Sequence, residues 1–233
     1  MPASGHSCSG LEQVVYFNFA SITMNCTLCE SKNVKYLEVA GDQRNYYCCQ
    51  SCYLIFVDPN HHIPVEREKD RYEFHKNSVA DVGYVKFLNQ VIQPSLSFLT
   101  KNMIGLDYGC GPNPTLAGLL AQHQLTCHNY DPLFGFNHPL QAYDFLFATE
   151  CVEHFRYPKD DFLKMDNLLK RKGVLSIMTD HWQSLDQFAT WYYKRDITHV
   201  SFYHQRTFAF ICSQAGYELK YTDNQRVVTM QKM

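Results

Sequence analysis

Charge of either sign is sparse and nearly balanced in this chain. Its 233 residues carry 21 lysines and arginines against 23 aspartates and glutamates, a formal net charge of −2 with the histidines neutral. That balance argues against the broad, salt-dependent grip that nucleic-acid binders exert through phosphate contacts, and leaves room only for a local basic patch. Long apolar runs are missing too, so no segment has the length needed to cross a bilayer, and no membrane partner is expected. Residues 1–24 lack the basic start and extended apolar core of a secretory signal. Cytoplasm is therefore the expected compartment. The stretch 1–24 reads as a flexible extension, with Met24, just before Asn25 and Cys26, a candidate natural start. Disordered and fibrous classes are excluded by a hydrophobic share of 45%, which can furnish a sizeable core. The length suits one ordinary α/β domain and a small module.

Two nucleotide signatures are also absent. The segment Gly105-Leu-Asp-Tyr-Gly-Cys-Gly-Pro-Asn-Pro114 reads as a buried strand, an acid and a glycine turn, and residues 115–122 behind it have helical composition. Ligands of open α/β sheets sit where a strand's carboxyl end hands over to a helix N-terminus. A dinucleotide fingerprint needs a third glycine, but Pro114 stands at that position, and no Gly-Lys-Ser/Thr follows to make a phosphate loop. What remains is an acid two residues before Gly-x-Gly, with Gly109 and Gly111 free of a Cβ that would hold a ligand off. A second strand, 125–131, ends in Asp131 about twenty residues after the glycines, where an acid can accept hydrogen bonds from both ribose hydroxyls. Asp131-Pro132 is equally an ordinary turn opener.

The order Asp107-Tyr108-Gly109-Cys110-Gly111 resembles motif I of class I S-adenosylmethionine-dependent methyltransferases. A carboxylate suits a donor that carries an α-ammonium and no phosphate. The stretch 143–155, with Asp144, Glu150, Val152, Glu153 and His154, is similar to the motif after the fourth strand of that family. The resemblance implies a Rossmann-like α/β sheet and S-adenosylmethionine as cofactor. Its implied cofactor-binding residues are Asp107, Tyr108, Gly109, Cys110, Gly111, Asn113, Asp131, Pro132 and Glu150. Asn113 stands where a third glycine is common, and Asn tolerates left-handed backbone. Only eleven residues separate Asp131 from Tyr143, too few for the usual helix, strand and helix, so the sheet is expected to be abridged around its third strand. Leu133, Phe134 and Phe136 would then supply an apolar wall for adenine, or simply pack a loop. Downstream, a helix over 162–169, a stop at Lys172-Gly173 and a strand over 174–179 are expected, with the basic residues of 164–172 solvated at the helix end.

Cysteine is the other strong signal. Cys26-x-x-Cys29 and Cys49-x-x-Cys52 lie nineteen residues apart, a spacing that lets two knuckles place four thiolates around a structural zinc. Residues 34–39 and 44–48 read as hairpin strands with Gly41-Asp42 in the turn, which makes 25–60 a β zinc ribbon. Cys48 adjoins the second knuckle, but the C-x-x-C geometry favours Cys49. Disulfides are the alternative reading in an oxidising compartment. The ribbon's basic residues are few, namely Lys32, Lys35 and Arg44, so a structural or substrate-covering role is favoured over an RNA clamp.

Residues 61–100 read as a charged linker and a helical segment over 82–98, and 101–233 as the methyltransferase domain. Tyr72 and His75 are candidates for a lid over the cofactor, or plain surface residues. His154 beside Glu153 is the first candidate for a catalytic base; a helix-start residue satisfied by backbone is the alternative. The pair resembles one in sugar C-methyltransferases that also carry an N-terminal zinc ribbon. The run 191–203, with Asp196, Thr198, His199, Val200, Phe202 and Tyr203, is similar to a stretch of small bacterial zinc-ribbon methyltransferases that faces the acceptor, and His199 is the second candidate base. Its aromatics could equally be core or dimer interface. The expected function is methyl transfer to a small-molecule acceptor by a monomer or homodimer. The alternatives are a tRNA or rRNA methyltransferase and a non-catalytic zinc-binding partner subunit.

Overall fold

The computed structural model describes residues 16–18, 24–39, 41–72, 80–137 and 141–233. Two sheets organise them. The larger has six strands in the order β10-β11-β8-β7-β5-β6, formed by β5 (Ile104–Tyr108), β6 (Thr126–Tyr130), β7 (Tyr143–Thr149), β8 (Leu169–Met178), β10 (Tyr217–Thr222) and β11 (Val227–Lys232). Strands β6, β5, β7 and β8 are parallel, and the hairpin β10–β11 closes one side in antiparallel register. Strand β6 is an edge, and among the described residues no further strand follows it in sequence before β7. The abridgement expected from the eleven-residue gap is what the sheet shows. The gap opens with a tight turn closed by pairing of Asp131 with Phe136.

Period-two alternation sets the two faces of this sheet. From β7, Phe145 and Phe147 enter one core with Leu88, Val91 and Ile92 of α2 (Val82–Ser95) and Leu116, Leu119 and Leu120 of α3 (Leu116–Ala121). Leu146 and Ala148 face the other core, against Phe162 and Met165 of α4 (Pro158–Leu168) and Phe208 and Ile211 of α6 (Gln205–Ala215). Asp81 caps α2 by accepting from the Tyr84 amide at 3.1 Å, and Gly216 ends α6 at φ +70°. Helix α4 stops at Leu168, one residue short of expectation, and the chain enters β8 at once through a register shift near Lys172, whose φ is +64°. The basic run 164–172 is therefore not a solvated helix end. Lys164 donates to Tyr130 Oη at 2.5 Å, while Lys170 belongs to β8 and pairs with Asp144 at 2.7 Å.

The second sheet has the order β1-β2-β3-β4-β9, all antiparallel, from β1 (Tyr16–Asn18), β2 (Val34–Glu38), β3 (Tyr46–Cys49), β4 (Ile55–Val57) and β9 (Ser201–Phe202). Its β2–β3 hairpin turns at Gly41, φ +77°. Strand β1 lies inside the stretch expected to be a flexible extension; most of 1–24 falls outside the described residues. Strand β9 arrives from far downstream, so the knuckle sheet is completed by the chain that carries His199. A core of Leu37, Tyr46, Ile55 and Val57 packs there on Trp182, Phe188, Tyr193 and Phe202, beside α5 (Leu185–Thr190). The aromatics of 191–203 are thus chiefly core. Helix α1 (Val65–Tyr72) leads from this sheet toward α2.

Gly105 pairs with Phe145 across β5 and β7, and a Cβ there would stand 2.0 Å from the Phe145 ring. A glycine within a strand marks such a close approach. Because Phe145 is wholly buried, Gly105→Ala is expected to cost about 1–3 kcal/mol of stability through overpacking. The effect should appear as a lower urea midpoint at unchanged slope; an unchanged midpoint would show that the ring moves aside freely.

Candidate active site

Strand β5 delivers the chain into a turn with Gly109 at φ +78° and Gly111 at φ +68°. A Cβ on Gly109 would lie 2.6 Å from Cys151 Cβ, whereas Gly111 opens onto free space. The turn borders a cavity of about 520 Å³ outside the carboxyl ends of β5 and β7. Of the residues expected to bind cofactor, Tyr108, Gly109, Cys110, Gly111, Asp131, Pro132 and Glu150 line it. Asn113 is exposed and not part of the lining, and its backbone is not left-handed. Asp131 serves the turn itself: Oδ2 accepts from Gly111 N at 3.0 Å and Oδ1 from Leu133 N at 3.1 Å. Each oxygen keeps a second lone pair for a ligand hydroxyl. Asp107 stands behind the wall, 4% exposed. Burial, then the charge of Asp131, pushes its carboxyl up to about 7.

Leu133 and Phe134 border the cavity; Phe136 does not. Tyr84 and Phe87 of α2, Glu68 of α1, and Asp161 and Lys164 of α4 complete its sides, none of them anticipated from sequence. Lys164 lies 4.7 Å from the centre of the Tyr130 ring, a cation–π contact at the end of β6. The aromatic character of Tyr130 and Tyr108 was visible in the sequence, but the helix that faces them was not. Tyr72 ends α1; its side chain and His75 lie outside the described residues.

On the same cavity, Glu153, His154 and His199 form a polar wall. Glu153 is wholly buried, accepts from Tyr193 Oη at 2.6 Å through Oε1, and has no hydrogen-bond partner on Oε2. Its carboxyl is pushed up by burial, an effect opposed by His199. Glu150, at φ +49°, takes a longer bond of 3.2 Å from Tyr193 Oη and forms an ion pair with Arg226 at 3.5 Å. His154 Nδ1 lies 3.1 Å from the Thr198 carbonyl, and His199 Nδ1 lies 2.7 Å from the Tyr193 carbonyl. A carbonyl only accepts, so both Nδ1 atoms carry a proton, and Nε2 is the atom of each ring that can gain or lose one. The rings meet edge to face, 4.8 Å between centres. The structure thus brings together the two candidate bases, which are forty-five positions apart in sequence. Tyr193 is the member of this cluster that sequence reasoning left unassigned, although it lies in the aromatic run already singled out.

The four knuckle cysteines also converge. Cys26 Sγ is 3.5 Å from Cys52 Sγ, Cys29 Sγ is 3.5 Å from Cys49 Sγ, and all four lie within 4.8 Å of one another. Sulfurs on a zinc ion with bonds of about 2.3 Å stand roughly 3.8 Å apart, so the set fits a tetrahedral thiophilic ion. Cys48, next to Cys49, points to the opposite face of β3 and packs in the other core. Arg44 is not available to a phosphate: its guanidinium pairs with Asp42 and donates to the carbonyls of Lys194, Asp196 and His199.

Comparison with known proteins agrees with this geometry. Residues 84–222 match the family described as "Methyltransferase domain". No curated protein matches. Among solved structures, a S-adenosylmethionine-dependent methyltransferase of Methanosarcina mazei is similar at 16% identity and TM-score 0.47, covering 59% of this chain and 96% of that one. An O-methyltransferase family protein of Burkholderia thailandensis is similar at 16% identity and TM-score 0.47, covering 71% and 62%. The magnesium protoporphyrin IX methyltransferase of Synechocystis, solved with bound S-adenosylmethionine, is similar at 14% identity and TM-score 0.45, covering 72% and 91%. The family match takes in the glycine turn, the Glu153–His154 wall and His199 and spans more than half of the chain, which therefore belongs to the methyltransferase-domain family.

Proposed function

We propose that the protein transfers a methyl group from S-adenosylmethionine to a small-molecule acceptor held in the same cavity. The observation that carries this reading is one cavity of about 520 Å³ lined both by the glycine turn and by Glu153, His154 and His199. Its volume suits a cofactor and a modest second molecule. When bound, the sulfonium donor supplies an activated methyl group, so the chain's task is alignment and exclusion of water. In this proposal Gly109 and Gly111 admit the donor's backbone-facing edge, Asp131 accepts from ribose hydroxyls, and Leu133 and Phe134 cover the adenine. Asp107 offsets the α-ammonium. The acceptor's nucleophilic group faces the polar wall, where His154 Nε2, and next His199 Nε2, can take its proton. The RNA-directed alternative finds no support in Arg44, whose guanidinium is committed to Asp42 and to three carbonyls. A reducing, cytoplasmic setting belongs to the proposal, because four converging thiols serve as zinc ligands only where thiolates persist.

Calorimetric titration tests the assignment directly. S-adenosylmethionine should bind at one site per chain and NAD should give no heat; silence with the first ligand would overturn the cofactor reading.

A pH dependence follows from Asp107, whose carboxyl is held at about 7. An ammonium ligand favours the ionised form, so binding below that pH must expel the proton. Affinity for the donor should rise up to about tenfold from about pH 6 to about pH 7.5, with proton release on binding that fades as pH rises. In Asp107→Asn the slope should vanish; a wild-type profile that is already flat would remove Asp107 from the ammonium site.

We further propose zinc at Cys26, Cys29, Cys49 and Cys52 as a structural ion. The chain's two tryptophans, Trp182 and Trp191, pack in the core shared by the knuckle sheet and the His199 segment. Stripping the metal with a chelator should therefore red-shift tryptophan emission as that core loosens. Unchanged emission on loss of one zinc per chain would mean that the knuckle fold holds without its ion.

A further inference from the structure

The polar wall has an imbalance of charge at one residue. Three carboxylates on the cavity have an arginine partner: Glu68 pairs with Arg156 at 2.9 Å, Glu150 with Arg226 at 3.5 Å, and Asp196 with Arg71 at 3.0 Å. Glu153 does not. It is the most buried of them, and among the described residues its Oε2 has no hydrogen-bond partner and the nearest basic atom, His154 Nε2, stands 3.9 Å from Oε1, too far for a hydrogen bond. A wholly buried carboxylate in this position calls for a cation.

The two imidazoles beside it are arranged as ligands. Metal-bound histidines donate their other ring N–H to a carbonyl or carboxylate, which fixes the tautomer and aims the lone pair. His154 does so to Thr198 O and His199 to Tyr193 O, and the ligand atoms of Glu153, His154 and His199 all lie within 4.8 Å of one another. Tyr193 also donates to Glu153 Oε1 at 2.6 Å, an outer-shell contact that orients the carboxylate. One residue therefore braces two of the three donors. With bonds of about 2.0–2.2 Å to nitrogen and oxygen, side-chain adjustments of roughly half an ångström bring the three donors onto one ion. All three residues border the cavity, so the remaining coordination positions open toward the acceptor rather than into the core.

We infer that Glu153, His154 and His199 form a second metal site, separate from the cysteine knuckles, for a divalent first-row transition ion. Two nitrogens and one carboxylate with open positions suit Mn²⁺, Fe²⁺ or Co²⁺ better than Mg²⁺, which prefers an all-oxygen shell. The four thiols and this triad also sort metals by softness, zinc to the knuckles and a harder ion to the wall. The ion site stands on the three side chains alone. Its use rests on the methyl-transfer reading: an ion there would take an oxygen of the acceptor into its open positions, and His154 would then act as a ligand and not as the proton acceptor.

Mn²⁺ is the probe, because its aqueous electron paramagnetic resonance signal falls on binding and it does not compete for four thiolates. Titrating zinc-loaded full-length protein should show one tight equivalent of Mn²⁺. Glu153→Gln and the double change His154→Ala with His199→Ala should each weaken it by at least about tenfold, while zinc content and calorimetric binding of S-adenosylmethionine show that the variants are folded. Tyr193→Phe should weaken it less. Absence of Mn²⁺ binding, with Glu153 then neutral and protonated in its pocket, would overturn the site, as would Mn²⁺ binding that survives both ligand variants. Either result with S-adenosylmethionine binding intact leaves the methyl-transfer reading standing, and Mn²⁺ binding without cofactor binding would do the reverse.

Discussion

The hydrogen bond of 2.6 Å from Tyr193 Oη to Glu153 joins the two halves of the polar wall, and much of the molecule is arranged to keep it. Glu153 follows β7 at the centre of the large sheet, while Tyr193 comes from the long segment after β8. Neither element has local propensity to hold the other. Their approach is secured from behind: Val200 N donates to Glu153 O at 2.9 Å, Tyr203 Oη donates to Val152 O at 3.0 Å, and β9 locks onto β4. In a low-dielectric interior such a bond is strong when made and costly when lost.

That arrangement gives the cysteine knuckles a physical purpose beyond their own stability. The sheet they anchor ends in β9, two residues after His199, and Arg44 of its hairpin connection donates to the carbonyls of Lys194, Asp196 and His199. The knuckle module is thus a buttress for the segment that carries one of the two imidazoles. A small module that cannot assemble a large core by itself gains order from a metal, and under the zinc proposal that order would pass to the cavity wall. The donor side needs no such support, since the glycine turn lies on the central strand β5, held between β6 and β7.

Much of this was legible in the order of residues. The glycine turn, the acid ending β6, the abridged sheet and the knuckle spacing could each be read locally, because each rests on backbone freedom, chain length or short-range ligand geometry. Where the reading went astray, a tertiary contact had overridden a local preference. Lys164 looked like a solvated helix residue until Tyr130 appeared opposite it, and Leu169 looked helical until Tyr143 of β7 paired with it. Asn113 matched a motif position, yet its backbone has no need of left-handed geometry. The aromatics of 191–203 have the composition of a pocket and the burial of a core, and only Asp196 and His199 from that run reach the cavity.

The sequence by itself determined the class of ligand the glycine turn can admit and the identity of the four sulfur donors, since both depend on residues a few positions apart. Which carboxylate lacks an arginine partner, which nitrogen of each histidine meets a carbonyl, and which helix covers the tyrosines were decided only by the tertiary structure. Most of those properties arise from side chains brought together across 34 to 125 positions of chain, where separation in sequence carries no information about distance, and where burial rather than residue type sets the cost of leaving a charge alone.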